Sequence, residues 1–260
     1  MALRSKNNYR HSSVLIYVAL VVLYPFEGLL NFDLRRIAVT KMNALVIGGT
    51  SGLGLELASL FSKDDYNVFV TGRHNPQRSE LHFVKLELDS DTLGESLDSL
   101  IFRLPQIDLL VYAAGFYQER RISDLTDADI LKMTRVGLLA PMMLLQRLLD
   151  IQEGLPVFVA VTSTSQWNPK ELEPAYCATK AGLGMLARCV SLDERVKKVL
   201  VVGVAGMATP FWKAENRDVS TMLRPKWVAQ QVREALKGSY RYRLIKVLRD
   251  PPRVETAEVE

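Results

Sequence analysis

Six continuous apolar runs alternate with stretches of helical periodicity, and this alternation constrains the fold more than anything else in the 260-residue chain. The runs are Ala44–Ile47, Val68–Thr71, Phe83–Leu88, Leu109–Tyr112, Val157–Thr162 and Val199–Val204. They are unbroken rather than alternating, as strands buried on both faces of a parallel sheet are. Helical spacing is predicted over Leu53–Ser62, Leu93–Phe102, Ala128–Ile151, Ala175–Asp193 and Trp227–Leu236. Strands separated by helices predict an α/β fold: a doubly wound parallel sheet in a single domain, helices on both faces, crossovers right-handed. No internal repeat or low-complexity linker interrupts the pattern.

Residues 1–41 read differently, which sets the expected boundary between an N-terminal extension and a domain at 42–260. Val14–Phe26 is an apolar run of thirteen, preceded by basic residues and broken by Pro25. A spanning helix needs about 20 residues. A signal or signal-anchor segment, an interfacial helix, and sequence upstream of a natural start at Met42 are the three readings of it. A membrane role is expected only through this stretch. The net charge of +4 arises largely from the first 41 residues and from Arg241 to Arg253. No basic stripe interleaves with aromatics, so a nucleic-acid partner is not expected. The three histidines share no ligand spacing, and no metal site is expected. Cys177 and Cys189 fall on one predicted helix. Twelve residues at about 1.5 Å rise put them about 18 Å apart, well beyond disulfide reach. Free thiols suit a reducing, cytoplasmic location.

The first apolar run leads directly into Gly48-Gly-Thr50-Ser51-Gly52-Leu53-Gly54. Glycines there let the backbone turn sharply and approach a pyrophosphate, whose charge then sits at a helix N-terminus. Further on, Tyr176-Cys-Ala-Thr-Lys180 places a phenol and an ammonium on one helix face, with Ser163 thirteen residues upstream. Tyr242 and Lys246 repeat the spacing near the C-terminus, and that copy is given no role. From about Met42 to Pro210 the glycine turn, the serine and the Tyr/Lys pair, in this order and at these separations, resemble the short-chain dehydrogenase/reductase family, whose sheet is a Rossmann fold.

The resemblance implies a nicotinamide cofactor held by Gly48, Thr50, Ser51, Gly52, Leu53 and Gly54 at the turn. Arg73 stands where relatives that prefer NAD carry an acidic ribose ligand. A guanidinium can fork onto a 2′-phosphate, so NADP (NADPH) is expected. Glu87 and Leu88 fall where the family meets adenine, and Ala113, Ala114 and Gly115 where it meets the adenosine ribose. Tyr112-Ala113 replaces two asparagines, so hydrogen bonds that stiffen the central sheet are expected from elsewhere. Thr209 resembles the residue that grips the carboxamide.

The resemblance likewise implies Tyr176 as general acid/base, Lys180 beside it, and Ser163 holding the substrate oxygen. A phenol ionises near ~10, and a positive charge at ~4 Å contributes ~4 kcal/mol toward the phenolate before desolvation subtracts. Gly137, in Val136-Gly-Leu-Leu-Ala-Pro141, replaces the asparagine that supports the family's proton-relay water, leaving space for an extra water. Phe116, Tyr117, Trp167, Phe211 and Trp212 fall in loops at strand ends, where they suit an apolar substrate or simply pack the loops. The segment Phe211–Arg224 is short for a lid. The expected function is an NADP-dependent oxidoreductase acting on a small carbonyl or alcohol. The alternative, resting on Gly137, is a weakly active or inactive NADP-binding protein acting through interactions. A sugar-nucleotide epimerase ranks last, since only fifty residues follow Pro210. A homodimer or homotetramer is expected through Ala128–Ile151 and Ala175–Asp193, using Leu138, Leu139, Met142, Leu145 and Leu149 with Leu183, Leu186 and Val190.

Overall fold

The structure is a computed structural model that describes residues 41–215 and 217–260. The apolar run Val14–Phe26 and the extension that carries it lie outside the described residues, Lys41 excepted. The elements are, in order, β1 (Asn43–Ile47), α1 (Gly52–Lys63), β2 (Asn67–Gly72), β3 (His82–Lys85), α2 (Leu93–Phe102) and β4 (Leu109–Tyr112). Next come α3 (Asp127–Thr134), α4 (Ala140–Ile151), β5 (Leu155–Ser163), α5 (Pro174–Val190), β6 (Val196–Val204), α6 (Pro225–Ala235), β7 (Tyr242–Arg249) and β8 (Pro252–Val259).

One sheet runs in the order β3-β2-β1-β4-β5-β6-β7-β8. All pairings are parallel except β7 with β8. Successive residues of a strand point to opposite faces, so Leu45 and Ile47 join one core with Leu97, Leu144 and Leu183 from α2, α4 and α5. Ala44 and Val46 join the other, with Leu57 and Val228 from α1 and α6. Every residue of β4 is buried, as the unbroken apolar run predicts for a strand covered on both sides. From β1 the chain builds outward to β3, then crosses back to β4 on the other side. A crevice opens at that reversal, beyond the carboxyl ends of β1 and β4.

Three expectations need correction. β7 and β8 were not anticipated, because β7 interleaves Arg and Lys with its apolar residues and β8 is almost wholly exposed. Tyr242 and Lys246 lie on extended β7. Four residues there span ~13 Å, so the second Tyr/Lys copy cannot make a pair. Instead Tyr242 lies under the Arg188 guanidinium and Lys246 caps the Trp167 ring. β3 ends at Lys85 rather than Leu88 because its partner ends at Gly72, opposite Lys85.

The single helix expected over Ala128–Ile151 contains a π turn at Arg135–Leu139. In that turn the Ala140 N–H reaches back five residues to the Arg135 carbonyl. The next donor in the series would serve Val136, but it belongs to Pro141, which has no N–H. Tyr112, fully buried at the end of β4, supplies the missing bond: its hydroxyl donates to the Val136 carbonyl at 2.5 Å. The phenol thus ties the central sheet to the helix in place of the lost asparagines.

Tyr112→Phe strands a buried carbonyl and is expected to cost about 1–3 kcal/mol. Chemical denaturation checks this, and a loss under about 0.5 kcal/mol would show that the carbonyl finds another partner.

Candidate active site

The sharp turn after β1 is built on backbone contacts that exclude side chains. Gly48 has a φ of 77°, and a Cβ there would sit 2.8 Å from the Ala114 backbone. A Cβ on Gly54 would meet the Gly48 carbonyl oxygen at 2.2 Å. α1 therefore starts hard against the ends of β1 and β4, its N-terminus facing the crevice. Ser51 occupies the N-cap position without a side-chain cap bond, and the first turn carries no acidic residue. The amide dipoles at that end are left for a ligand anion, which fits a pyrophosphate.

All sixteen site residues read from the sequence line one cleft of about 490 Å³. Gly48, Thr50, Ser51, Gly52, Leu53 and Gly54 form one wall, continued by Ala113, Ala114 and Gly115 at the end of β4. Arg73, exposed after β2, lies at the outer end with Glu87 and Leu88, and the Glu87 carboxylate accepts a bond from its own loop at the Asp89 N–H. Thr209 closes the opposite side, near enough that a Cβ on Gly52 would touch its methyl at 3.2 Å.

Ser163, Tyr176 and Lys180 are buried at the inner end. Ser163 is the last residue of β5, and Tyr176 and Lys180 lie in the first two turns of α5, whose Pro174 suits a helix start. The Lys180 ammonium donates to the Val161 carbonyl at 3.1 Å and lies 5.7 Å from the Tyr176 ring centre. Burial holds the Tyr176 phenol well above its usual range, although the Ser163 hydroxyl favours the phenolate. Burial also lowers Lys180 from 10.5 to about 8. Desolvation thus outweighs the push toward phenolate expected from the sequence.

Gly137 is a further correction. A Cβ there would sit 2.8 Å from Cβ and 3.0 Å from Oγ1 of Thr179, so the volume beside it is filled by threonine rather than open to an extra water. Of the strand-end aromatics, Phe116, Phe211 and Trp212 line the cleft. Tyr117 is buried behind them, its ring edge-on to Tyr176 at 5.2 Å and to Trp212 at 4.9 Å. Trp167 instead packs on Gly203 and the core.

Sequence reading missed Glu173, which is 3% exposed and lines the same cleft. Its Oε1 accepts from Tyr117 (2.8 Å), and its Oε2 accepts from Ser165 (3.1 Å) and Lys170 (2.8 Å). Arg217, in the short segment before α6, bonds both Tyr117 and Glu119. A carboxylate just before a helix reads in sequence as ordinary capping, which is why it gave no signal.

The lowered Lys180 makes a stability prediction. Its folded pKa of about 8 lies below the unfolded 10.5, so the native state holds fewer protons between these values and gains stability as pH rises through them. The penalty, on the order of 3 kcal/mol, is present in full below about pH 8. Lys180→Met should therefore be more stable than the parent near pH 7, by about 1–3 kcal/mol, with a gap that narrows toward pH 10. A gap that denaturation shows to be independent of pH would contradict the burial argument.

The sequence pattern described as short chain dehydrogenase matches residues 42–220. A 3-oxoacyl-(acyl-carrier-protein) reductase of Rickettsia felis is 24% identical over 205 residues, covering 75% of this chain and 83% of the relative. The crystal structure of a short-chain dehydrogenase/reductase from Vibrio parahaemolyticus superimposes with a TM-score of 0.67 at 24% identity, covering 78% of this chain and 96% of that one. The closed form of a serine dehydrogenase complexed with NADP+ does so with a TM-score of 0.66 at 19% identity, covering 76% and 90%. The structural likenesses establish the fold, and the family pattern spans the glycine turn, Ser163, Tyr176 and Lys180 alike. The chain belongs to the short-chain dehydrogenase/reductase family of oxidoreductases.

Proposed function

We propose that the protein is an NADP-dependent oxidoreductase that interconverts a carbonyl and an alcohol, with Tyr176 as general acid/base. The observation that carries this reading is the convergence of the glycine turn with Ser163, Tyr176 and Lys180 on a single cleft. When bound, the nicotinamide would supply or accept the hydride. Tyr176 gives its proton to the carbonyl oxygen in reduction and takes one from the alcohol in oxidation. Ser163 shares the inner end of the cleft with that phenol, and Lys180, fixed to Val161, lies 5.7 Å from its ring centre. Arg73 supports the preference for NADP, since among the described residues no carboxylate pairs with it. The aromatic lining from Phe116, Phe211 and Trp212 supports an apolar or aromatic substrate.

Thr179 packed against Gly137 favours the second reading, a cofactor-binding protein with weak turnover, because an asparagine has no room there. The same helices support a homo-oligomer, though on a narrower face than expected. Leu145 and Leu183 are spent on the chain's own core, whereas Leu139, Met142 and Met185 are exposed. Free Cys177 and Cys189 suit a cytoplasmic protein. No described helix is long and apolar enough to cross a membrane. Residues 42–260 are proposed as the catalytic domain.

The test is the purified full chain with NADPH or NADH against a panel of aromatic and aliphatic aldehydes and ketones. At least one should consume NADPH faster than NADH, and Arg73→Ala should erode the preference by about 1–3 kcal/mol, the worth of a charge-assisted hydrogen bond. Tyr176→Phe should abolish turnover with cofactor binding intact. No turnover with either cofactor, or an unimpaired Phe variant, would overturn the reading.

A further inference from the structure

Glu173 is a costly residue to bury. Taking a carboxylate out of water carries a penalty of several kcal/mol unless its oxygens are fully bonded. Here both are bonded, by donors from three directions: Tyr117 from the loop after β4, Ser165 after β5 and Lys170 ahead of α5, with the Arg217 guanidinium an ion-pair neighbour 3.9 Å from Oε1. Glu119 lies behind Arg217, and Tyr176 follows one helical turn along α5.

These bonds have a direction. An ionised carboxylate only accepts, so Ser165 must donate to Glu173. Ser165 Oγ then accepts from Ser163 Oγ at 3.1 Å. Ser163 Oγ accepts the Ser165 N–H, also at 3.1 Å, and shares the buried inner end of the cleft with the Tyr176 phenol. The file runs from Ser163 through Ser165 to Glu173, then to Lys170, whose side chain is 42% exposed. Every link from Ser163 onward is at hydrogen-bond distance.

We propose that Ser163, Ser165, Glu173 and Lys170 form the proton path between Tyr176 and solvent in this chain. The proposal rests on the oxidoreductase reading above. In alcohol oxidation the substrate hydroxyl gives its proton to Tyr176 Oη as the phenol passes its own to Ser163, Ser163 to Ser165, and Ser165 to Glu173 Oε2. Each hydroxyl gains one proton and loses one, the carboxylate becomes a carboxylic acid, and the hydride leaves to the oxidised cofactor. Lys170 then takes the proton from Glu173 as it releases one of its own to water. Carbonyl reduction runs the same steps backwards. No free phenolate accumulates, so the burial of Tyr176 does not oppose turnover. Glu173 touches no substrate and is a positioning residue that acts through the serines.

The full chain is assayed with NADPH and the panel carbonyl that turns over fastest. Glu173→Gln keeps the shape and an acceptor but cannot take a proton. It should lower kcat at least tenfold, leave KM for NADPH within twofold, and change the pH profile and the solvent isotope effect of kcat. Glu173→Ala should regain part of its rate when formate is added. An unchanged kcat in Glu173→Gln, or a loss shared by kcat and KM with the pH profile and isotope effect unmoved and no formate rescue in Glu173→Ala, overturns the proposal. Tyr176→Phe run alongside separates the two readings. If it is inactive while Glu173→Gln is normal, only the proton path fails. If it is active, or if the unmodified chain turns over nothing, both fail.

Discussion

The structure depends on a backbone contact with no side chain in it, the approach of Gly48 to Ala114 across the ends of β1 and β4. At that point the sheet's connection order reverses. Because the turn is this tight, α1 begins beside the crevice with its N-terminal amides directed into it. Gly54 allows the second half of the same approach, its Cα side lying against the Gly48 carbonyl. A side chain at either position would push strand and helix apart, and the anion site would go with them.

The other end of the cleft is governed by desolvation. Tyr176, Lys180 and Glu173 are each below a tenth exposed, in a wall otherwise made of aromatic rings and strand ends. Burial moves the phenol up and the ammonium down, so the neutral forms of both gain on the charged ones. Glu173 is buried with hydrogen-bond donors on both oxygens. The site is therefore better suited to passing protons along bonded neighbours than to holding a stable phenolate.

Much of this was legible in the sequence because it depends on local rules. Unbroken apolar runs marked β1, β4 and β5, and the glycine spacing marked the turn. Tyr176 and Lys180 could be paired because helical periodicity fixes their common face. What escaped depends on contacts distant in sequence. The π turn is matched by Pro141 and by a phenol 24 residues upstream of Val136, and only the proline shows any local sign. Arg217 meets Tyr117 across 100 residues, and Glu173 differs from a surface carboxylate only by what packs over it. β8 escaped for the opposite reason: its exposed, charged residues carry no burial pattern.

The central claim is that one cleft holds the dinucleotide so that its nicotinamide end meets Tyr176. A crystal structure of the full chain grown with NADP+ tests this most directly. The account predicts pyrophosphate oxygens on the amides at the start of α1, the 2′-phosphate beside Arg73, and the nicotinamide next to Tyr176 and Lys180. A cofactor bound elsewhere, or one whose nicotinamide points away from Tyr176, would contradict it.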